Sequence, residues 1–251
     1  MSSNSNIIAL TMGDPSGVGT EIAIRAKIKK IKKPDFFIIH DIDFVKKILK
    51  KMKSKLKVRE ISSPSEVKKL PKNYLAVLPI KISKNTQLGK KNLSNVKSIL
   101  TSIDLAVKLA KNGEVAAIVT NPINKDVIGK KVKNFKGHTE YLAKKDRTND
   151  QLMMMMNKNL KTIPLTTHIA INKVSNKINK KNIIKAIINA NVSLRKDFKI
   201  KKPRIAVTAL NPHAGDGGLI GDDEKVKILP AIKYCKKKKI SVEGPLPADS
   251  A

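Results

Sequence analysis

The sequence predicts an α/β fold, and three observations predict it. Apolar runs of strand length recur at residues 7–12, 36–39, 74–78, 115–120, 151–156, 162–166 and 204–210. Segments of helical period lie among them, at 20–30, 43–52, 92–112, 182–195 and 222–237. Gly, Pro, Asn and Asp cluster where strands end, as in Gly13-Asp14-Pro15 and Asn121-Pro122. Strands alternating with helices call for a mostly parallel sheet with helices on both faces.

Each element has its own signature. The run 7–12 reads as a buried strand entering a glycine loop, and the helix after it carries Ile22, Ala23, Ala26 and Ile28 at partly helical spacing. Residues 36–39 give a second strand, 43–52 a basic amphipathic helix and 74–78 a short strand. The longest helical pattern, 92–112, places Val96, Ile99, Leu100, Ile103, Leu105, Ala106 and Leu109 on one face and stops at Gly113. The second half repeats the style. Its four consecutive methionines, Met153 to Met156, read as a buried strand rather than a metal or cofactor site. The stretch 129–136 is the least patterned, which places the domain boundary there: 1–130 and 131–251.

Length and composition narrow the class. A chain of 251 residues, 41% hydrophobic, can form a real core of one or two domains. Aromatics are only 3%, so Ile, Leu, Val and Ala must build it. No apolar run reaches the roughly 18 residues that span a bilayer. The opening MSSNSN has no basic segment ahead of an apolar one, which predicts no signal peptide and no membrane partner. A single cysteine, Cys235, excludes an internal disulfide framework and agrees with a reducing cytoplasm.

The net charge of +32 points toward polyanions, but only five of the 52 basic residues are Arg. Specific nucleic-acid readers favour the planar guanidinium fork and stacking aromatics. Lysines spread along the whole chain read instead as solvated faces, so no specific nucleic-acid partner is expected. Weak, salt-sensitive adhesion to RNA is.

The four histidines are few enough to take singly. His168 follows Leu165-Thr166-Thr167 at the end of an expected strand, and His213 follows Asn211-Pro212 just past another. Ligands in open α/β sheets bind beyond the carboxyl ends of strands, so two such imidazoles could share one metal ion. The glycines 215, 217, 218 and 221 around Asp216 allow close approach of backbone to a ligand, or simply a flexible turn. Gly137-His138-Thr139 precedes a helical run, where free N–H groups can hold an anion or be plainly capped. His40 reads as a loop residue without function. The loop Gly13 to Gly19 is neither a GxGxxG motif nor a P-loop.

Six stretches occur in order along the chain: TMGDPSGVGTE (11–21), TNPINK (120–125), GHTEYLA (137–143), TTH (166–168), NPHAGDGG (211–218) and GPLPADS (244–250). Together they resemble the PdxA family, the metal-dependent 4-hydroxythreonine-4-phosphate dehydrogenases of vitamin B6 biosynthesis. The resemblance implies two α/β/α domains like those of isocitrate and isopropylmalate dehydrogenases, and a homodimer with its active site at the interface. It makes His168 and His213 ligands of a divalent cation (Zn, Mg or Co), and His138 and Thr139 contacts of a phosphorylated hydroxy-acid substrate. It places Asp249 near the metal, as an acid/base group or a residue behind the ligands. NAD or NADP is the implied oxidant, with no residues assigned to it, and oxidation is followed by loss of CO₂.

The resemblance also implies a chain that runs on past Ala251, with a third metal-binding histidine there; the fold is then incomplete at its C-terminus and 251 residues alone are expected to be inactive. Thr20 stands where the family usually has Pro. Two other functions remain open: a paralogue acting on a phosphorylated sugar acid such as threonate or erythronate phosphate, and a non-catalytic basic binding protein.

Overall fold

A computed structural model describes residues 6–29, 34–148, 151–211 and 213–249. The chain divides into two compact units, residues 1–149 and 150–251.

The first unit is a parallel sheet with helices. Strands β1 (Ile7–Leu10), β2 (Asp35–His40), β3 (Lys57–Glu60), β4 (Tyr74–Pro79) and β5 (Ala117–Val119) lie in the order β3-β4-β2-β1-β5. All four pairings are parallel, with Ile8 opposite Phe36 and Ala9 opposite Ile118. The central strands are apolar on both faces, as a sheet covered on both sides requires. One face buries Ile7, Ala9, Phe37, Ile39, Ala76 and Leu78 against residues such as Ala106 and Leu109. The other buries Leu10, Phe36, Ile38, Leu75 and Val77 against Ala23, Ile24, Val45 and Ile48.

The helices are α1 (Gly19–Ile28), α2 (Ile42–Lys51), α3 (Val96–Lys111), α4 (Lys125–Gly129) and α5 (His138–Asp146). Of these, α1, α2, α3 and α5 follow the expected pattern and α4 was not expected. Asp41 caps α2, accepting bonds from the amides of Asp43 and Phe44. The strand β3 was not expected, because its sequence Lys-Val-Arg-Glu is charged; it is an edge strand, exposed along most of its length.

The division falls at 149/150 rather than 130/131. Residues 131–148 stay with the first unit because α5 packs on α3. Tyr141 donates to Asp104 Oδ1 at 2.8 Å, and Lys145 reaches Asp104 Oδ2 at 2.7 Å.

The second unit is built differently. The helices α6 (Val174–Lys177), α7 (Lys180–Lys196) and α8 (Leu229–Lys237) accompany two small sheets. One pairs β6 (Met155–Met156) antiparallel with β7 (Lys161–Thr162). The other pairs β8 (Ile205–Thr208) parallel with β9 (Val242–Leu246). The core is a single cluster of α7, α8 and β9 residues, including Ile183, Ile187, Ala231, Ile232 and Val242.

Two sequence expectations are corrected here. The methionine run is not buried: Met155 and Met156 are 55% and 58% exposed, since their strand has only the two-residue β7 as partner. The expected helix 222–237 is a π-helical turn (Glu224–Ile228) running into α8, with Pro230 near the junction. No helix among the described residues is long and apolar enough to cross a membrane.

Candidate functional site

In the first unit the strand order changes direction between β1 and β5, the crevice where open α/β sheets bind ligands. The loops after these two strands interlock. Asn121 donates its side-chain amide to the Thr11 carbonyl at 3.0 Å, and the Asp14 amide donates to the Pro122 carbonyl at 2.8 Å. Gly13 has φ +71°, and a Cβ there would lie 2.6 Å from the Pro122 oxygen. The glycine that looks made for a ligand therefore serves the close approach of two loops.

His40 is fully buried at the end of β2. It shares a 2.9 Å hydrogen bond with Thr20 Oγ1, and its Nδ1 accepts from the Asp41 amide at 2.7 Å. Burial pulls its pKa down to about 4, against a smaller opposing effect of Asp41. It is a neutral structural link between β2 and α1.

His138 opens α5, and Thr139 beside it is exposed. The helix has no side-chain N-cap, because the residue before it is Gly137 at φ 149°. His138 Nε2 is buried without a protein partner. Burial, and secondarily the charge of Lys125, lower the His138 pKa below its ordinary value. A neutral imidazole with an unmet nitrogen, at a helix start rich in free N–H groups, is suited to an anion.

In the second unit, His168 lies beyond β7 on an irregular stretch, exposed, with φ +56°. A left-handed non-glycine backbone is uncommon. His213 is 66% exposed, and its Nδ1 stands 3.4 Å from Asp249 Oδ2. Its loop continues left-handed through Ala214, Gly215, Asp216 and Gly217. Glu224 anchors that loop: it is buried, and its Oε1 accepts from the amides of Leu210 and Asn211 at 3.0 and 3.4 Å. Two imidazoles and a carboxylate are donors of the right kind for a divalent cation. Among the described residues, however, no three His, Cys, Asp or Glu stand close enough to hold one ion. The donors fit in kind and are not assembled, so no chemical step below runs through a bound ion.

Three residues with evident roles escaped the sequence reading. Lys125 sits inside TNPINK, but nothing in the motif says that it meets Gly137. Asp104 and Glu224 are ordinary acidic residues on helical segments until tertiary structure gives them partners.

The sequence matches the family described as "Pyridoxal phosphate biosynthetic protein PdxA" over residues 32–251. It is 32% identical to the 4-hydroxythreonine-4-phosphate dehydrogenase of Pseudoalteromonas translucida, covering 97% of this chain and 73% of that protein. It is 35% identical to the enzyme of that name from Wigglesworthia glossinidia brevipalpis, again over 97% and 73%. The crystal structure of the 4-hydroxythreonine-4-phosphate dehydrogenase from Klebsiella pneumoniae superposes with a TM-score of 0.91 at 32% identity, over 98% of this chain and 77% of that one. The mixed α/β fold with its parallel sheet, the ordered motifs and these whole-chain matches agree: the chain belongs to the PdxA family.

Proposed function

We propose that this chain serves the reaction for which its relatives are named, the oxidation of 4-hydroxythreonine-4-phosphate in pyridoxal phosphate synthesis, and that its 251 residues alone are inactive. The observation that carries the reading is the whole-chain agreement with dehydrogenases of that name, in sequence and in fold. The oxidant we infer is NAD or NADP, and the hydride chemistry belongs to the nicotinamide. Decarboxylation follows oxidation of the secondary hydroxyl.

His138 and Thr139 bind the phosphorylated substrate at the start of α5. His168 and His213 are the protein ligands of a divalent cation, whether Zn, Mg or Co. A cation held by them would supply Lewis acidity at the substrate hydroxyl. Asp249, beside His213 Nδ1, holds that ring so that Nε2 is its free donor, the usual arrangement of a carboxylate behind a metal-binding histidine. It can also take a proton from the substrate hydroxyl. We further infer the two-domain plan of isocitrate and isopropylmalate dehydrogenases and a cytoplasmic homodimer with the site between copies. Exposed Ile171 and Leu219 support a covered surface.

The test reads metal and turnover separately. Cobalt uptake by the 251-residue chain should be lost in His213→Ala, which removes a proposed ligand, and its affinity should fall about 10–100-fold in Asp249→Asn, which removes the carboxylate behind it. The natural gene product should reduce nicotinamide with 4-hydroxythreonine-4-phosphate and lose that activity to a chelator. Chelator-resistant turnover would overturn the metal reading. Activity on threonate or erythronate phosphate alone would replace the substrate.

A further inference from the structure

Lys125 is the first residue of α4, exposed, on the loop that follows β5. Its chain turns toward the start of α5: a Cβ at Gly137 would lie 3.2 Å from both its Cε and its Nζ. Three other lysines of this unit pair with aspartates. Lys91 pairs with Asp126 at 2.6 Å, Lys111 with Asp146 at 3.2 Å and Lys145 with Asp104 at 2.7 Å. Asp126, the carboxylate next to Lys125 in sequence, is therefore already engaged. The Glu140 carboxylate comes within 3.7 Å of the same point at Gly137.

Three features thus meet at one helix start: an ammonium beside Gly137, the buried and unpartnered Nε2 of His138, and the uncapped amides of α5. A cation beside a neutral imidazole and a helix N-terminus is an arrangement for a multiply charged oxyanion. A lysine stem is flexible, so it can move to meet a ligand at small cost.

We propose that Lys125 sets the charge preference of the substrate site, its ammonium binding the substrate phosphate together with His138, Thr139 and the first amides of α5. This rests on the reading above that the phosphate lies at His138. Lys125 then favours the phosphorylated compound over its unphosphorylated parent, while the imidazole beside it stays neutral and donates rather than competes for a proton.

The test is a titration of the full 251-residue chain with 4-hydroxythreonine-4-phosphate, following histidine side-chain resonances by NMR. His138→Asn assigns the His138 signal, and the His40 signal reports that the first unit remains folded. In the wild type the His138 signal should move and saturate. Lys125→Gln should weaken that binding about tenfold, Lys125→Arg about threefold at most, as expected for one charged hydrogen bond. Binding of unphosphorylated 4-hydroxythreonine should not change in either variant. An unaltered affinity in Lys125→Gln, with His138 still responding, overturns the role of Lys125 alone. Loss of the Lys125→Gln effect in a Glu140→Gln background would make Lys125 merely the partner of Glu140, and also overturns it. A wild-type His138 signal that never responds removes both the phosphate placement and this proposal.

Discussion

His138 and His213 stand at the centre of two regions built on different terms. The first rides on α5, which Tyr141 and Lys145 tie to Asp104 on α3, against a sheet buried on both faces. Its ring is half-buried and its pKa depressed by that burial. The second sits on a left-handed loop, two-thirds exposed, with one carboxylate at 3.4 Å and a small two-stranded sheet behind it. The lesson is that a single chain prepares its two candidate groups to different degrees. The first region holds its geometry before any ligand arrives. The second is exposed, and among its described residues no three candidate ligands stand together, so any ion bound as proposed there would have to order it, at a cost in affinity.

The sharpest way to break this contrast is in the cores. Phe37 is fully buried in the central strand β2, and Phe37→Ala should destabilise the first unit by about 3–5 kcal/mol in chemical denaturation. A loss below about 1 kcal/mol would mean that this sheet is no better packed than the second unit.

Acid offers a second, somewhat smaller lever. His40 is neutral when folded, with a pKa near 4 against 6.5 when free. The unfolded chain therefore binds the extra proton first as pH drops. Stability from this burial is complete above pH 6.5 and is lost as pH falls through 4, a total of roughly 3 kcal/mol. Urea midpoints followed from neutral pH to pH 4 should decline, and His40→Gln should flatten the decline. A pH-independent wild-type midpoint would contradict it.

The smallest effect lies in the methionine hairpin. Met155 is 55% exposed, so Met155→Ala should shift stability by no more than about 0.5 kcal/mol. A cost several times larger would show that this strand is covered in solution.

The same contrast explains what could be read from the residues. Strands β1, β2 and β4 and helices α2 and α3 were legible because burial on both faces, or along one stripe, writes a period into the sequence. The edge strand β3 carries charges and was missed. The strand β9 contains Gly244-Pro245, which reads as a turn. The methionines looked buried because apolar composition cannot say whether a second layer exists to cover it. At the candidate site, His138, Thr139, His168 and His213 were visible as motif residues. Lys125, Asp104 and Glu224 were not, since their meaning lies in partners 12 to 41 residues away. The glycine loop announced a close approach of backbone but not its partner. Its tight backbone meets Asn121 and Pro122, a neighbour no local pattern announces.

That interlock between the loops after β1 and β5 has a consequence for synthesis on the ribosome. The Thr11–Asn121 hydrogen bonds join residues 110 positions apart. At translation speeds of about 5–20 residues per second, the open side of β1 waits on the order of 5–20 s for its last neighbour to emerge. During that interval an apolar strand edge is available to other nascent chains. The sheet grows from β1 outward on the β2 side first and is sealed late on the other.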